Sequence, residues 1–171
     1  MERLFIITGA DGHLGGTLIR LLRRRKAPVR GLVLPGHMPP AGDGVTYFQG
    51  DVRDKDSLRP LFEGIPSGKM FDILVSNPPY IPREVIEGLE PEVRDHEPRM
   101  ALDGDEDGLK FYHILARESG RFLKNGGAIY LEIGWDQGPA VEGLLAKAGF
   151  RDIRTVQDLT GKDRVVRAGW P

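Results

Sequence analysis

Asn77-Pro78-Pro79-Tyr80 follows directly on the apolar run Phe71 to Ser76, and these residue types together can hold a primary amide. Two prolines fix φ at about −65° and remove amide donors, so the loop is stiff and its carbonyl directions are set by the chain. An amide nitrogen presented there can give one proton to the Asn77 side-chain oxygen and one to the Pro78 carbonyl, with Tyr80 packing alongside. Such a nitrogen is a poor nucleophile. Methyl transfer from a sulfonium donor needs an in-line approach more than it needs an acid or base, which is the service a positioning clamp provides. The same tetrapeptide also reads as a rigid turn with nothing bound.

A second constellation lies near the start of the chain. The run Leu4 to Thr8 ends in Gly9-Ala10-Asp11-Gly12-His13-Leu14-Gly15, and helical periodicity follows from Thr17 to Arg25. Strand, glycine turn and helix in that order let the backbone approach a diphosphate, held by amide groups and the positive end of the helix. A tight strand-to-helix turn without a ligand has the same pattern.

Other signals are weaker. Asp103-Gly104-Asp105-Glu106-Asp107-Gly108 imitates the start of a calcium loop, but the twelfth position, which must be a carboxylate, is Ile114. The better reading is an acidic loop preceding a helix. Arg23-Arg24-Arg25-Lys26 falls at a helix end, where cations offset the negative dipole, and is read as solvated rather than as a nucleic-acid patch. His37, His96 and His113 are too scattered to propose as a metal site.

The elements that must position these residues follow from patterning. The chain has 171 residues, 24 basic against 25 acidic, 23 Gly, 13 Pro and no Cys. Balanced charge gives no support to nucleic-acid binding, and the lack of Cys removes disulfides, thiolate metal sites and thiol nucleophiles. No apolar run reaches a membrane-spanning length and no signal peptide is evident, so a soluble, cytoplasmic protein with no membrane partner and no bound metal is expected. Strands are predicted at Leu4 to Thr8, Val29 to Leu34, Thr46 to Gln49, Phe71 to Ser76, Ala128 to Ile133, Ile153 to Val156 and Arg164 to Arg167. Helices are predicted at His13 to Arg25, Asp54 to Glu63, Gly108 to Phe122 and Pro139 to Ala148, with Gly64 to Lys69 linker-like and Arg83 to Gly108 a long, acidic, irregular insertion. This alternation predicts an α/β fold, a doubly wound Rossmann-like three-layer sandwich. Its sheet is mostly parallel, in the order 3-2-1-4-5-7-6, and the short LTGKD connection closes an antiparallel C-terminal hairpin.

The segment TGADGHLG with the later VTYFQGDVRDKDSLRPLFEG resembles the first half of extended short-chain dehydrogenases and NAD-dependent epimerases, over residues 1–64. That resemblance implies an NAD(P)-type cofactor, with Gly9, Asp11, Gly12, His13, Leu14 and Gly15 at the phosphates and Asp51 and Val52 beside the adenine. Leu34-Pro35-Gly36 stands where the family carries a charged residue for the ribose or its phosphate, which leaves NAD versus NADP open. The family's Tyr-x-x-x-Lys pair, in which a cation lowers a phenol pKa, is missing. Four positions after Tyr47, Tyr80, Tyr112 and Tyr130 stand Asp51, Glu84, Ala116 and Gly134. Reductase activity is not expected.

From residue 70 to 168 the resemblance changes. FDILVSNPPYIP, HEPRMALDGDEDGLKFYHILARESGRFLKNGGAIYLEIGWDQG and VQDLTGKDRVV resemble HemK-type protein-(glutamine N5) methyltransferases, which modify peptide release factors. The resemblance implies S-adenosylmethionine as cofactor and a release-factor glutamine peptide as partner. Asn77, Pro78 and Tyr80 would hold the glutamine amide, with Glu97 and Pro98 in the neighbouring insertion. ITGADGHLGG and LPGH depart from that family's glycine-rich turn and acidic ribose residue, and its N-terminal helical domain has no counterpart here. The sequence therefore reads as a hybrid, a constructed chimera within one Rossmann-like domain over residues 1–171. Its dehydrogenase-like and methyltransferase-like halves would put the glycine turn and the Asn77 loop beside one crevice, with little or no turnover. The alternative is a working S-adenosylmethionine-dependent protein-glutamine methyltransferase.

Overall fold

The computed structural model describes residues 4–39, 44–52, 54–65, 71–91 and 99–171, apart from the side chains at positions 13 and 100. Two compact units divide the chain, Met1–Ile65 and Pro66–Pro171.

The first unit carries β1 (Phe5–Thr8), α1 (His13–Arg24), β2 (Val29–Val33), β3 (Thr46–Gln49) and α2 (Arg59–Phe62). Its three strands are parallel in the order β1-β2-β3, with Phe5 opposite Val29 and Arg30 opposite Thr46. Central β2 is the most buried strand of this unit because both its edges are paired; Val29 and Val33 join Ile7, Ala10 and Ile19 in the core. Gly31 in β2 is required by packing, since a Cβ there would lie 2.9 Å from Ala10 and from the Tyr47 ring. Arg23 and Arg24 end α1 exposed, as solvated cations at a helix C-terminus.

The helix expected over Asp54 to Glu63 is shorter, beginning at Arg59. Pro60 has no N–H and clashes with a carbonyl one turn back, so it is tolerated only in a first turn. The Ser57 hydroxyl lies 2.8 Å from the Asp54 carbonyl and 3.0 Å from the Asp51 amide, drawing the preceding backbone into a turn instead.

The second unit carries β4 (Phe71–Ser76), α3 (Arg83–Ile86), α4 (Arg99–Leu102), α5 (Lys110–Ser119), β5 (Leu123–Glu132), α6 (Gly138–Lys147), β6 (Arg151–Gln157) and β7 (Asp163–Gly169). Its strand order is β4-β5-β7-β6. β4 and β5 run parallel, with Ile73 opposite Ala128, whereas β7 is antiparallel to both β5 and β6. The two segments of the expected order, 3-2-1 and 4-5-7-6, are thus found in two hydrogen-bonded sheets. β5 starts earlier than expected, at Leu123, because the ladder shifts register between Phe71 and Ile73 and Gly126, at φ 77°, absorbs the irregularity. The insertion is also less irregular than expected, since α3 and α4 lie within it.

Ile129, Leu131 and Ile133 from β5 and its end, Val141 and Leu145 from α6, and Val166 from β7 are fully buried and form the core of this unit. Burying each such side chain contributes about 1.5–3 kcal/mol. Among the described residues no helix is long and apolar enough to cross a membrane.

Candidate active site

β4 ends at Ser76, opposite Leu131, and releases the chain straight into Asn77-Pro78-Pro79-Tyr80. Pro78 is buried, Pro79 and Tyr80 are half-buried and Asn77 is exposed. The loop is therefore seated by its ring residues and presents its amide side chain outward. Its far end is stapled: the Ile81 amide donates to the Leu102 carbonyl at 3.0 Å, the Gly104 amide donates to the Ile81 carbonyl at 2.9 Å, and the Arg83 amide donates to the Asp105 carbonyl at 2.9 Å.

Side chains reinforce that staple. The Arg83 guanidinium meets Asp103 at 3.3 Å and Asp105 at 2.7 Å, and the Lys110 ammonium reaches Asp105 at 2.7 Å. A hydrogen bond from the Asp105 amide, followed by the Arg83 guanidinium, holds the Asp103 carboxyl below the ordinary carboxylate range. Lys110, then Arg83, does the same for Asp105. Two of the carboxylates that imitate a calcium loop, Asp103 and Asp105, thus face cations of the same chain, and no cluster of three or more metal-type side chains occurs among the described residues.

Gln137, just before α6, is only 8% exposed and hydrogen-bonds at both ends of its amide. Its nitrogen donates to the Tyr80 carbonyl at 3.0 Å and to the Gly108 carbonyl at 3.4 Å. Its oxygen accepts from the Gly134 amide at 2.9 Å, and the Tyr112 hydroxyl lies 3.5 Å from it. Gly108 sits at φ 72°, and a Cβ there would collide with the Tyr80 carbonyl and the Gln137 amide. The Tyr112 hydroxyl also donates to the Glu132 carbonyl at 2.8 Å, and burial pushes its pKa up. That direction is the reverse of what a tyrosine base requires.

In the first unit, Gly9 turns the chain at φ 60°, the Gly12 amide donates to the Gly9 carbonyl at 3.0 Å, and Gly12 caps α1 in an extended conformation. Gly15 is buried and has no room for a side chain, which would overlap the Gly9 carbonyl. Around Gly9, by contrast, a Cβ would meet nothing within 4 Å. Leu14 is 55% exposed, and the Asp11 carboxylate lies 3.2 Å from the His37 ring nitrogen. His13 begins α1. Asp51 follows β3 half-buried, and Val52 beside it is 63% exposed. Glu97, Pro98 and His96, and most of the Gly64 to Lys69 linker, lie outside the described residues.

Gln137 was not singled out by sequence reasoning. Its signal is an uncharged amide in a glycine-bounded turn, Gly134 to Gly138, which patterning alone assigns to the surface. The approach of His37 to Asp11 was equally invisible, because it depends on the path of the β2–β3 connection.

No family model matches the chain. Release factor glutamine methyltransferase of Caulobacter vibrioides is 62% identical over 96 residues, 56% of this chain and 33% of its own length. That of Geobacter sulfurreducens is 44% identical over 125 residues, 73% of this chain and 40% of its own. The chain therefore spans only 33% to 40% of the length of these two curated relatives. Among solved structures, a release factor-specific protein-(glutamine-N5) methyltransferase from Alicyclobacillus acidocaldarius is 26% identical, with a TM-score of 0.50 over 98% of this chain and 80% of its own. A methyltransferase from Pyrococcus furiosus, 14% identical, has a TM-score of 0.53 over 97% of this chain and 74% of its own and shows the fold alone. These matches give no support to an NAD(P)-binding first half or to a constructed chimera. The 125-residue alignment is longer than the second unit, so methyltransferase similarity reaches into the first. The fold is a mixed α/β, Rossmann-like methyltransferase fold with antiparallel strands at its C-terminus, and the chain is similar to release factor glutamine methyltransferases.

Proposed function

We propose that this chain is an S-adenosylmethionine-dependent methyltransferase acting on the side-chain nitrogen of a glutamine in a peptide release factor. The observation that carries the reading is the stapled Asn77-Pro78-Pro79-Tyr80 loop, with its amide side chain exposed and its prolines seated. Asn77 accepts one N–H of the glutamine amide through its side-chain oxygen, and the Pro78 carbonyl accepts the other. Two acceptors on one nitrogen fix the direction of its lone pair, and Tyr80 covers the amide plane. Because the transfer is in-line, that orientation supplies much of the rate.

The methyl donor would be held in the first unit, where backbone approach matters. Gly9 is open to solvent on the side where a Cβ would stand, and Gly12 presents extended backbone at the N-terminus of α1. Gly9, Asp11, Gly12, His13, Leu14 and Gly15 would hold the donor, with Asp51 and Val52 at its nucleoside end. S-adenosylmethionine supplies an electrophilic methyl group on a sulfonium.

The test is methyl transfer from labelled S-adenosylmethionine to a Gly-Gly-Gln peptide and to an intact release factor, with NAD(H) and NADP(H) titrated in parallel. Methylation lost in Asn77→Ala supports the reading. Binding of a dinucleotide in preference to S-adenosylmethionine, with no methyl transfer, overturns it.

A further inference from the structure

We infer that Gln137 is a positioning residue for the amide clamp, setting the direction of the Asn77-Pro78-Pro79-Tyr80 loop through the Tyr80 carbonyl. This rests on the reading of that loop as the glutamine site. Three segments meet at one carboxamide: the end of the loop at Tyr80, the end of the acidic insertion at Gly108, and the turn after β5 at Gly134. A primary amide offers two donors on one side and an acceptor oxygen on the other, and here both sides are engaged, the oxygen by the Gly134 amide and the donors by two carbonyls. Of the common side chains only Gln combines that length with that donor and acceptor pattern; Glu would turn a second oxygen toward two carbonyls.

The backbone of Gln137 is itself fixed. Its amide donates to the Gly134 carbonyl at 3.0 Å and its carbonyl accepts from the Val141 amide at 3.0 Å. The loop's orientation is therefore referred to β5 and α6, whose side chains form the most deeply buried part of the unit. Gly108 records how closely the three segments approach, since no side chain fits between the Tyr80 carbonyl and the Gln137 nitrogen. Pro78 and Pro79 stiffen the loop internally, but stiffness alone does not aim it. The bond at Tyr80 does.

Two variants test this in the whole chain. Gln137→Ala removes both donors, and Gln137→Glu keeps the size while placing a carboxylate against two carbonyls. Such a carboxyl has its pKa raised, so its protonated form, which can again donate to Tyr80, gains as pH falls. The titratable groups around it are Tyr80, whose carbonyl it faces, Tyr112 from α5, raised by burial and neutral throughout, and the exposed or half-exposed carboxylates of Glu132, Asp136 and Asp163. At about pH 8 both variants should raise hydrogen exchange at the Ile81 and Gly104 amides by ~10-fold, leave the β5–β7 ladder protected, and raise the peptide KM by ~10-fold with S-adenosylmethionine affinity unchanged. For Gln137→Glu, the ratio of variant to wild-type kcat/KM should rise as pH is lowered toward about 6. Unchanged exchange at Ile81 and Gly104, or a rate loss wholly explained by a smaller folded fraction, overturns the assignment. If exchange responds but the wild-type chain transfers no methyl group, Gln137 still holds the loop and the glutamine-methyltransferase reading is what fails.

Discussion

The Gln137 side-chain nitrogen donates to the Tyr80 carbonyl at 3.0 Å across 57 positions of sequence. One buried amide thereby connects the turn after β5 to the loop that carries Asn77. The loop's chemistry lies in its own four residues, whereas its aim is set by a residue more than two elements away.

Asn77→Ala should abolish one of two acceptors for the substrate amide while leaving the fold intact, because Asn77 is exposed. The expected loss in kcat/KM on a Gly-Gly-Gln peptide is about 100-fold, with melting temperature within error of wild type. A variant that retains full activity would remove the amide-clamp role.

Gly108→Ala should destabilise the second unit by about 1–3 kcal/mol, since it adds a positive-φ penalty to a collision with the Tyr80 carbonyl. Denaturant titration measures the first effect. Raised exchange at Ile81 would show that the loop has been pushed off its support.

Gly12→Val and Gly15→Ala should separate ligand approach from folding. At Gly12 an added Cβ stands 3.3 Å from the Gly9 carbonyl at an exposed N-cap, so valine should weaken S-adenosylmethionine binding with modest loss of stability. At Gly15 the Cβ overlaps the turn itself, and alanine should unfold the start of α1. Calorimetric titration and circular dichroism distinguish the two, and equal binding by Gly12→Val would argue against a donor site in the glycine turn.

Asp158 should make the C-terminal hairpin acid-sensitive. Its carboxylate accepts from the Thr160 hydroxyl at 2.6 Å, the Thr160 amide at 2.8 Å and the Lys162 amide at 3.2 Å, with Arg164 at 3.2 Å. The Thr160 hydroxyl bond is the largest cause of a strongly depressed pKa. A carboxyl with a depressed folded pKa stabilises above its unfolded value of about 4 and loses that contribution as pH falls through the folded one. Melting temperature should therefore drop below about pH 4 in wild type and drop less steeply in Asp158→Asn. Parallel curves for the two proteins would exclude this source.

Patterning alone was enough for the α/β class, the parallel runs, the antiparallel hairpin and the Asn77 loop, because each is written in local residue types. Alternation of Val- and Ile-rich strands with amphipathic helices is a short-range property, as is the stiffness of two adjacent prolines. The shortening of the helix before Phe62 was also written locally, in Pro60 and Ser57, but their joint effect depends on where the Asp51 and Asp54 backbone lies. Only the tertiary structure could place Gln137 under Tyr80, close Arg83 and Lys110 on Asp105, and bring His37 to Asp11. Those pairings join residues distant in the chain through single polar groups, and a polar residue in a turn carries no local mark of which buried carbonyl or carboxylate it will meet. Burial decides that, and burial is a property of the packed chain.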